Sequence, residues 1–152
     1  MKPRVMSLVL FTCFVGIIIA PVDVSFLILV ISLLAVAIGS GAAGTLNMWY
    51  ESDLDAMMSR TCLRPIPTGK VKKEQALLFG ITLSIISILM LYYFTNFISA
   101  ALLAFTIGFY FFIYTIWLKR KTPQNIVIGG AAGALPPVIG WTIATNSLSL
   151  EP

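Results

Sequence analysis

Long apolar stretches separated by shorter polar segments dominate this chain. A helix needs about 20 apolar residues to cross the hydrocarbon core of a bilayer, and five stretches approach that length. They are residues 5–20, 25–46, 75–94, 97–118 and 125–145. The gaps after the first and third stretches are short, which is typical of antiparallel helical neighbours. The pattern predicts an all-α integral membrane protein with about five transmembrane helices.

Prolines and aromatic residues qualify this picture. The fifth stretch contains Pro136 and Pro137, and freed backbone groups are tolerated at membrane depth only where protein or a water-filled cavity satisfies them. The pair therefore predicts either a break that lines a cavity or a kink between packed neighbours. Aromatic belts at the membrane boundaries are the expected location of Trp49, Tyr50, Trp117 and Trp141.

Composition supports a membrane protein. Of the 152 residues, 59% are hydrophobic and 11% are charged, and the mean hydropathy is +0.97. Soluble domains are about half apolar and about a quarter charged, so these few charges could not cover a water-soluble fold. The chain contains no histidine, which excludes a Ser-His-Asp triad, a Cys-His protease pair and His-ligated zinc or heme within it.

The basic residues separate cleanly along the chain. All ten lie at the N-terminus, between the second and third apolar stretches, or between the fourth and fifth: Lys2, Arg4, Arg60, Arg64, Lys70, Lys72, Lys73, Lys119, Arg120 and Lys121. By the positive-inside rule, the N-terminus and both of these loops face the cytoplasm. The first residues do not resemble a mitochondrial transit peptide, so we expect the cell inner (plasma) membrane of a bacterium rather than a mitochondrial inner membrane.

Three of the six acidic residues fall within residues 51–55, directly after the second apolar stretch. If that helix continues, Asn47, Glu51 and Asp55 are four residues apart and share one face, whereas Asp53 points to another side. Like charges four residues apart destabilise a helix, and a divalent cation would compensate them. Carboxylate and amide oxygens suit Mg²⁺, which is typically shared between one or two carboxylates and substrate phosphates.

The same loop supplies donors for phosphate oxygens, namely Arg60, Arg64, Lys70, Lys72 and Lys73. Acids for a metal beside bases for an anion indicate a diphosphate site, with the tail of the substrate in the apolar bundle. Two plainer interpretations stay open at this point. The bases can simply set the topology, and the acids can form a solvated linker in which Asp53 pairs with a loop arginine.

The residues also carry a family resemblance. Asn47, Glu51 and Asp55 resemble the motif Asn-x3-Asp-x3-Asp, the first acidic motif of the UbiA superfamily of intramembrane prenyltransferases, with Glu51 at a position where the family often has Asp. Within this superfamily, the heme O synthases (protoheme IX farnesyltransferases) are similar to segments 2–6, 46–50, 64–69, 114–133 and 136–141. The resemblance covers nearly the whole chain.

The resemblance implies a bundle of nine transmembrane helices around a central cavity, in which two acidic motifs each hold Mg²⁺ against a prenyl diphosphate. The implied reaction transfers a farnesyl group from farnesyl diphosphate to a vinyl group of heme b and gives heme O. The implied partners, besides the lipid membrane and these substrates, are heme A synthase and terminal oxidase assembly; no nucleic acid is expected.

Carried onto this chain, the resemblance assigns three kinds of role. Asn47, Glu51 and Asp55 are the expected catalytic residues and Mg²⁺ ligands, with Asp53 as a further candidate ligand. The expected diphosphate-binding residues are Arg60, Arg64 and Lys119, and Tyr114 is expected to line the cavity.

Domain organisation follows from the same comparison. The family's second acidic motif has no counterpart here, so we expect residues 1–152 to be a single transmembrane domain that forms the N-terminal part of a longer prenyltransferase domain, inactive by itself. Alternatives are a UbiA-type enzyme with a quinone or chlorophyll-like acceptor, or a non-catalytic membrane scaffold. Half of a transporter is disfavoured, because the apolar stretches hold no ionisable pair.

Overall fold

The computed structural model describes residues 3–118 and 125–148, and within them it contains helices and loops but no strand. The helices are α1 (Pro3–Ile18), α2 (Phe26–Tyr50), α3 (Ser52–Met57), α4 (Lys73–Phe94), α5 (Phe97–Gly108) and α6 (Asn125–Thr145). Between α5 and α6, a π-helix covers Phe109–Leu118 and is called the π-segment below.

The long helices coincide with the five apolar stretches. Among the described residues, three helices are long and apolar enough to cross a membrane, namely Phe26–Tyr50, Lys73–Phe94 and Phe97–Trp117, and Val5–Ile18 is a shorter apolar helix. Helix α6 covers the same residues as the fifth predicted stretch. The prediction of an all-α, multi-pass membrane protein is therefore confirmed.

Two predicted helices differ in detail from the structure. The fourth stretch is not one regular α-helix, because α5 passes directly into the π-segment at Phe109. The fifth stretch is not interrupted, because α6 remains one helical element through Pro136 and Pro137. The proline pair thus does not end the helix, although Pro136 does contribute to the wall of a cavity.

Small residues bring the helices close together. The most extensive packing joins α2 to α4 and α1 to α6. A Cβ atom built on Gly80 of α4 would lie 2.8 Å from a methyl carbon of Leu46, and one built on Gly140 of α6 would overlap the carbonyl oxygen of Cys13 in α1. Close backbone approach through small residues is a general way in which membrane helices associate.

Polar contacts hold α6 against the start of α5. Asn96 caps α5 by accepting a hydrogen bond from the backbone N–H of Ser99 (2.8 Å), and its side-chain amide donates to the carbonyl oxygen of Thr142 (2.7 Å). The hydroxyls of Ser99 and Thr142 are 2.9 Å apart. Trp141, adjacent to this contact, is buried, so its predicted place in an aromatic belt at the membrane boundary is wrong.

Candidate functional site

The predicted acidic motif spans the junction between α2 and α3. Helix α2 ends at Tyr50, and Glu51 is the single residue between the two helices, so the predicted continuous helix is wrong in this detail. The register nevertheless continues, because the N–H of Glu51 donates to the carbonyl of Asn47 (3.0 Å) and the N–H of Asp55 donates to that of Glu51 (2.8 Å). The three residues therefore keep their helical spacing across the junction.

All three motif residues are buried. Asn47 is completely inaccessible, and Glu51 and Asp55 are 5% and 4% exposed. Carboxylates are almost never buried to this extent unless they are paired or bind a metal. The alternative interpretation, in which the acidic cluster is a solvated linker, does not fit this burial.

The amide of Asn47 is held by the π-segment. Its Nδ2 donates to the hydroxyl oxygen of Thr115 (3.2 Å), and Thr115 is itself completely buried. The Oδ1 atom of Asn47 is buried and has no hydrogen-bond partner within the part of the chain that the structure describes. A buried acceptor without a partner costs about 1–3 kcal/mol, which makes this oxygen a candidate ligand atom.

The carboxylate of Asp55 is neutralised by an arginine from the following loop. The Oδ2 of Asp55 lies 2.5 Å from Nη1 of Arg64. The backbone carbonyl of Asp55 also accepts from the hydroxyl of Thr61 (3.0 Å), which ties the loop to α3. Arg64, which the sequence assigns to diphosphate binding, thus contacts the acidic motif directly.

A compact turn fixes the backbone of Arg64. Its carbonyl oxygen accepts hydrogen bonds from the backbone N–H (3.1 Å) and the hydroxyl (2.9 Å) of Thr68. Gly69 closes this turn with a φ of 73°, a conformation that favours glycine, and the N–H of Val71 donates to the carbonyl of Pro65 (3.1 Å). The segment 64–71 therefore has its own hydrogen bonds, which place the guanidinium of Arg64 beside α3.

Asp53 is separate from the buried set. Its side chain is 76% exposed and lies 2.6 Å from Nζ of Lys73, at the start of α4. The sequence predicted a loop arginine as the partner of Asp53; in the structure Lys73 forms an ion pair with Asp53, and Arg64 pairs with Asp55. An exposed pair of this kind contributes little stability.

The remaining predicted site residues have varied surroundings. Arg60 is exposed on the loop after α3, and Lys119 lies outside the described residues. The ring of Tyr114 stacks on that of Tyr110, with ring centroids 5.0 Å apart and an interplanar angle of 25°.

A mostly apolar cavity of about 170 Å³ lies among α1, α2, α5, α6 and the π-segment. On α2 its wall includes Val36, Ser40 and Ala43, which are spaced like one face of a helix and lead along that face to Asn47. Tyr110 contributes to the wall from the π-segment. The cavity and the buried end of α2 thus share one side of that helix.

Sequence reasoning missed two polar residues of this site. Thr115 lies in an aromatic, apolar run, where a single threonine gives no signal beyond helix packing. Ser52 directly follows Glu51, is buried, and has a hydroxyl oxygen with no hydrogen-bond partner among the described residues. The only sequence feature that could have indicated Ser52 was its position directly after Glu51 of the acidic motif.

The donor set of the site consists of oxygens. Among the described residues no group of three or more His, Cys, Asp or Glu side chains lies close enough together to hold a metal. The candidate ligands are the buried carboxylates of Glu51 and Asp55 and the Oδ1 atom of Asn47. This set fits Mg²⁺, which binds few protein ligands and keeps several waters.

Fold and site together define a multi-pass α-helical membrane protein with a buried acidic site at the end of a helix that also lines an apolar cavity. Residues 9–152 match the model of the UbiA prenyltransferase family, and the chain belongs to this family. The resemblance that the sequence motifs indicated is thereby confirmed.

The chain is similar over its whole length to several curated relatives. It is 74% identical over 152 residues to the protoheme IX farnesyltransferase of Pelagibacter ubique, covering 100% of this chain and 50% of the relative. It is 60% identical over 151 residues to protoheme IX farnesyltransferase 2 of Mesorhizobium japonicum, covering 99% and 48%. For the protoheme IX farnesyltransferase of Rhodopseudomonas palustris the identity is 60% over 152 residues, covering 100% and 49%.

The chain spans about half the length of the curated relatives it matches. No solved structure matches it.

Proposed function

We propose that this protein transfers a farnesyl group from farnesyl diphosphate to a vinyl group of heme b, giving heme O, and that residues 1–152 form the N-terminal part of the prenyltransferase domain that does so. The observation that carries the proposal is the buried set Asn47, Glu51 and Asp55, which follows the α2 face that lines an apolar cavity and in which Asp55 directly contacts Arg64. The similarity to relatives named protoheme IX farnesyltransferase supports the choice of substrates.

The proposed cofactor is Mg²⁺. The Oδ1 of Asn47 and the carboxylates of Glu51 and Asp55 would hold it, and Asp53 stays outside this set because it is exposed and paired with Lys73. When bound, the ion acts as a Lewis acid that stabilises negative charge on the diphosphate as the allylic C–O bond breaks.

Arg64 has two roles in this proposal. Its guanidinium neutralises Asp55 in the structure, and the same donors can bind a diphosphate in a bidentate manner. Arg64 also lines a second, mainly apolar cavity of about 470 Å³ between α2, α4 and the loop, so its side chain has space in which to move. We infer that Arg64 exchanges Asp55 for the diphosphate when the donor binds with its cation, with Arg60 and Lys119 as further donors.

The apolar cavity is the proposed site of the prenyl chain. Four of the α2 residues in its wall, Gly39, Ser40, Ala43 and Gly44, are small and leave room beside the helix. Tyr110 faces the cavity and carries the stacked ring of Tyr114. The electron-rich face of an aromatic ring attracts cations, so this pair is suited to an allylic group that becomes positively charged.

The proposed location is a bacterial inner membrane with the N-terminus in the cytoplasm. The basic residues that flank the helices support this orientation, and it places the acidic motif at the cytoplasmic end of α2. Heme A synthase and terminal oxidase assembly are the proposed consumers of the product.

Product analysis tests the proposed reaction. Membranes that contain the full-length protein are incubated with farnesyl diphosphate, Mg²⁺ and one of three acceptors: heme b, hydroxybenzoate or dihydroxynaphthoate. We expect a farnesylated, hydrated heme from the first acceptor alone. Prenylation of an aromatic acid would instead assign the protein to another branch of the family, and no product from any acceptor would favour a non-catalytic scaffold.

A further inference from the structure

We propose that Thr115 is a positioning residue that turns the amide of Asn47 so that its oxygen faces the cation site. The inference rests on the proposed function, since it concerns the geometry of a ligand to the proposed Mg²⁺. It is carried by a chain of two hydrogen bonds that runs from the backbone of the π-segment to the end of α2.

The hydrogen-bond directions in this chain are determined by chemistry. The hydroxyl oxygen of Thr115 lies 2.9 Å from the carbonyl oxygen of Tyr110 and 3.2 Å from Nδ2 of Asn47. A carbonyl oxygen can only accept, so the single hydroxyl hydrogen of Thr115 is donated to Tyr110. The hydroxyl oxygen can then only accept from Asn47, and the NH₂ end of the amide must face Thr115.

The consequence for Asn47 is a fixed amide orientation. With Nδ2 held by Thr115, the Oδ1 atom is the end that is left, and it is buried without a hydrogen-bond partner among the described residues. Rotation by 180° would point two N–H donors into the site instead, and a donor repels a cation. Thr115 therefore decides whether position 47 offers an acceptor or a donor.

The π-segment accounts for the direction of the threonine hydroxyl. Several threonines within the regular helices donate to the carbonyl four residues earlier, as Thr45 does to Gly41 and Thr82 to Leu78. Thr115 instead donates to the carbonyl five residues earlier, in keeping with the i→i+5 pattern of a π-helix. The wider turn thus places this hydroxyl between its own backbone and α2.

Binding of Mn²⁺ as a substitute for Mg²⁺ tests the inference without the reaction. The purified protein in detergent is titrated with Mn²⁺ alone, and the site of interest is the one lost in Asp55→Asn. Outer-shell partners of metal ligands typically contribute 10- to 100-fold in affinity. We expect Thr115→Val, which keeps the shape but lacks the hydroxyl, to weaken Mn²⁺ binding by about that factor, and Thr115→Ser to restore it.

Two further variants separate positioning from general packing. Thr82→Val makes the same change in α4, at an exposed hydroxyl that bonds its own helix, and should bind Mn²⁺ like the unmodified protein. In an Asn47→Asp background a carboxylate offers oxygen in either orientation, so adding Thr115→Val should change the affinity less than about 3-fold. If Thr115→Val weakened Mn²⁺ binding only by disturbing the packing, the same loss of affinity would also occur in the Asn47→Asp background.

The outcomes distinguish this inference from the proposed function. If the unmodified protein binds Mn²⁺ but Thr115→Val binds it equally well, the positioning role is wrong and the metal site stands. An equal loss of affinity in both backgrounds would also refute positioning. If the unmodified protein has no Mn²⁺ site that depends on Asp55, the metal assignment itself fails and the inference fails with it.

Discussion

At the scale of single residues, the buried carboxylate of Asp55 requires a counter-charge, and this requirement explains why Arg64 lies beside it. Desolvation of an isolated carboxylate is far more costly than a typical hydrogen bond can offset. Arg64 meets the requirement through a contact of 2.5 Å. Removing one partner of such a buried pair leaves the other uncompensated, so the two residues must be tested by different substitutions and different readouts.

Replacing Asp55 with Asn should abolish farnesyl transfer while the protein still inserts into the membrane. The amide keeps the shape of the side chain but removes the charge that a cation and Arg64 both require. Transfer is measured as heme O formation in membranes with matched amounts of protein. Glu74→Gln serves as the control, because it removes an exposed carboxylate at the start of α4. Near-normal heme O formation by Asp55→Asn would refute the metal assignment.

Replacing Arg64 with Ala should change two affinities in opposite directions. The donor should bind more weakly, because the diphosphate loses a bidentate partner. A hydrogen bond to a charged group contributes about 1.5–3 kcal/mol, so we expect the KM for farnesyl diphosphate to rise by about 10- to 100-fold. Mn²⁺ alone should bind more tightly, because Arg64 no longer competes for Asp55. Arg64→Lys should give intermediate values for both. Parallel weakening of both affinities would contradict the exchange of partners.

At the scale of helices, the crossing of α1 and α6 depends on glycine. A side chain at position 140 would meet the carbonyl oxygen of Cys13, which belongs to the backbone and cannot rotate away. A side chain at position 133 of the same helix would have no neighbour within 4 Å among the residues that the structure describes. The two glycines therefore make a matched pair for testing the packing.

Gly140→Ala should destabilise the protein, whereas Gly133→Ala should not. Overpacking typically costs about 1–3 kcal/mol, and in α6 the loss opposes the usual gain from alanine in a helix of up to about 1 kcal/mol. Unfolding by sodium dodecyl sulfate, followed by circular dichroism, measures the difference. Equal unfolding curves for the two variants would show that the backbones of α1 and α6 are not in close contact.

Helix positions were predictable from sequence because hydrophobicity and length determine which segments can cross a bilayer. The spacing of Asn47, Glu51 and Asp55 was predictable for a similar reason, since helical periodicity acts locally. The π-segment could not be predicted, because the same apolar residues fit an α-helix equally well. The contact between Asn47 and Thr115 joins residues 68 positions apart, and no local pattern reports such a pair.

The sequence also could not predict which acidic residue pairs with which basic residue. Four acids and several bases lie between positions 51 and 74, and each acid has more than one base within reach along the chain. The turn closed by Gly69 brings Arg64 to Asp55, and the start of α4 brings Lys73 to Asp53. These pairings follow from the path of the loop, which only the folded chain defines.

At the scale of the whole molecule, labelling of the two cysteines of the chain can test the proposed orientation in the membrane. Cys62 lies on the loop after α3, and Cys13 is completely buried in α1. A membrane-impermeant maleimide should therefore label Cys62 in inverted inner-membrane vesicles and leave it unlabelled in intact spheroplasts, because the positive-inside rule places this loop in the cytoplasm. Cys62→Ser identifies the labelled residue, and detergent-treated spheroplasts show that the reagent can reach it. Labelling of Cys62 in intact spheroplasts would reverse the orientation and place the acidic motif on the opposite side of the membrane.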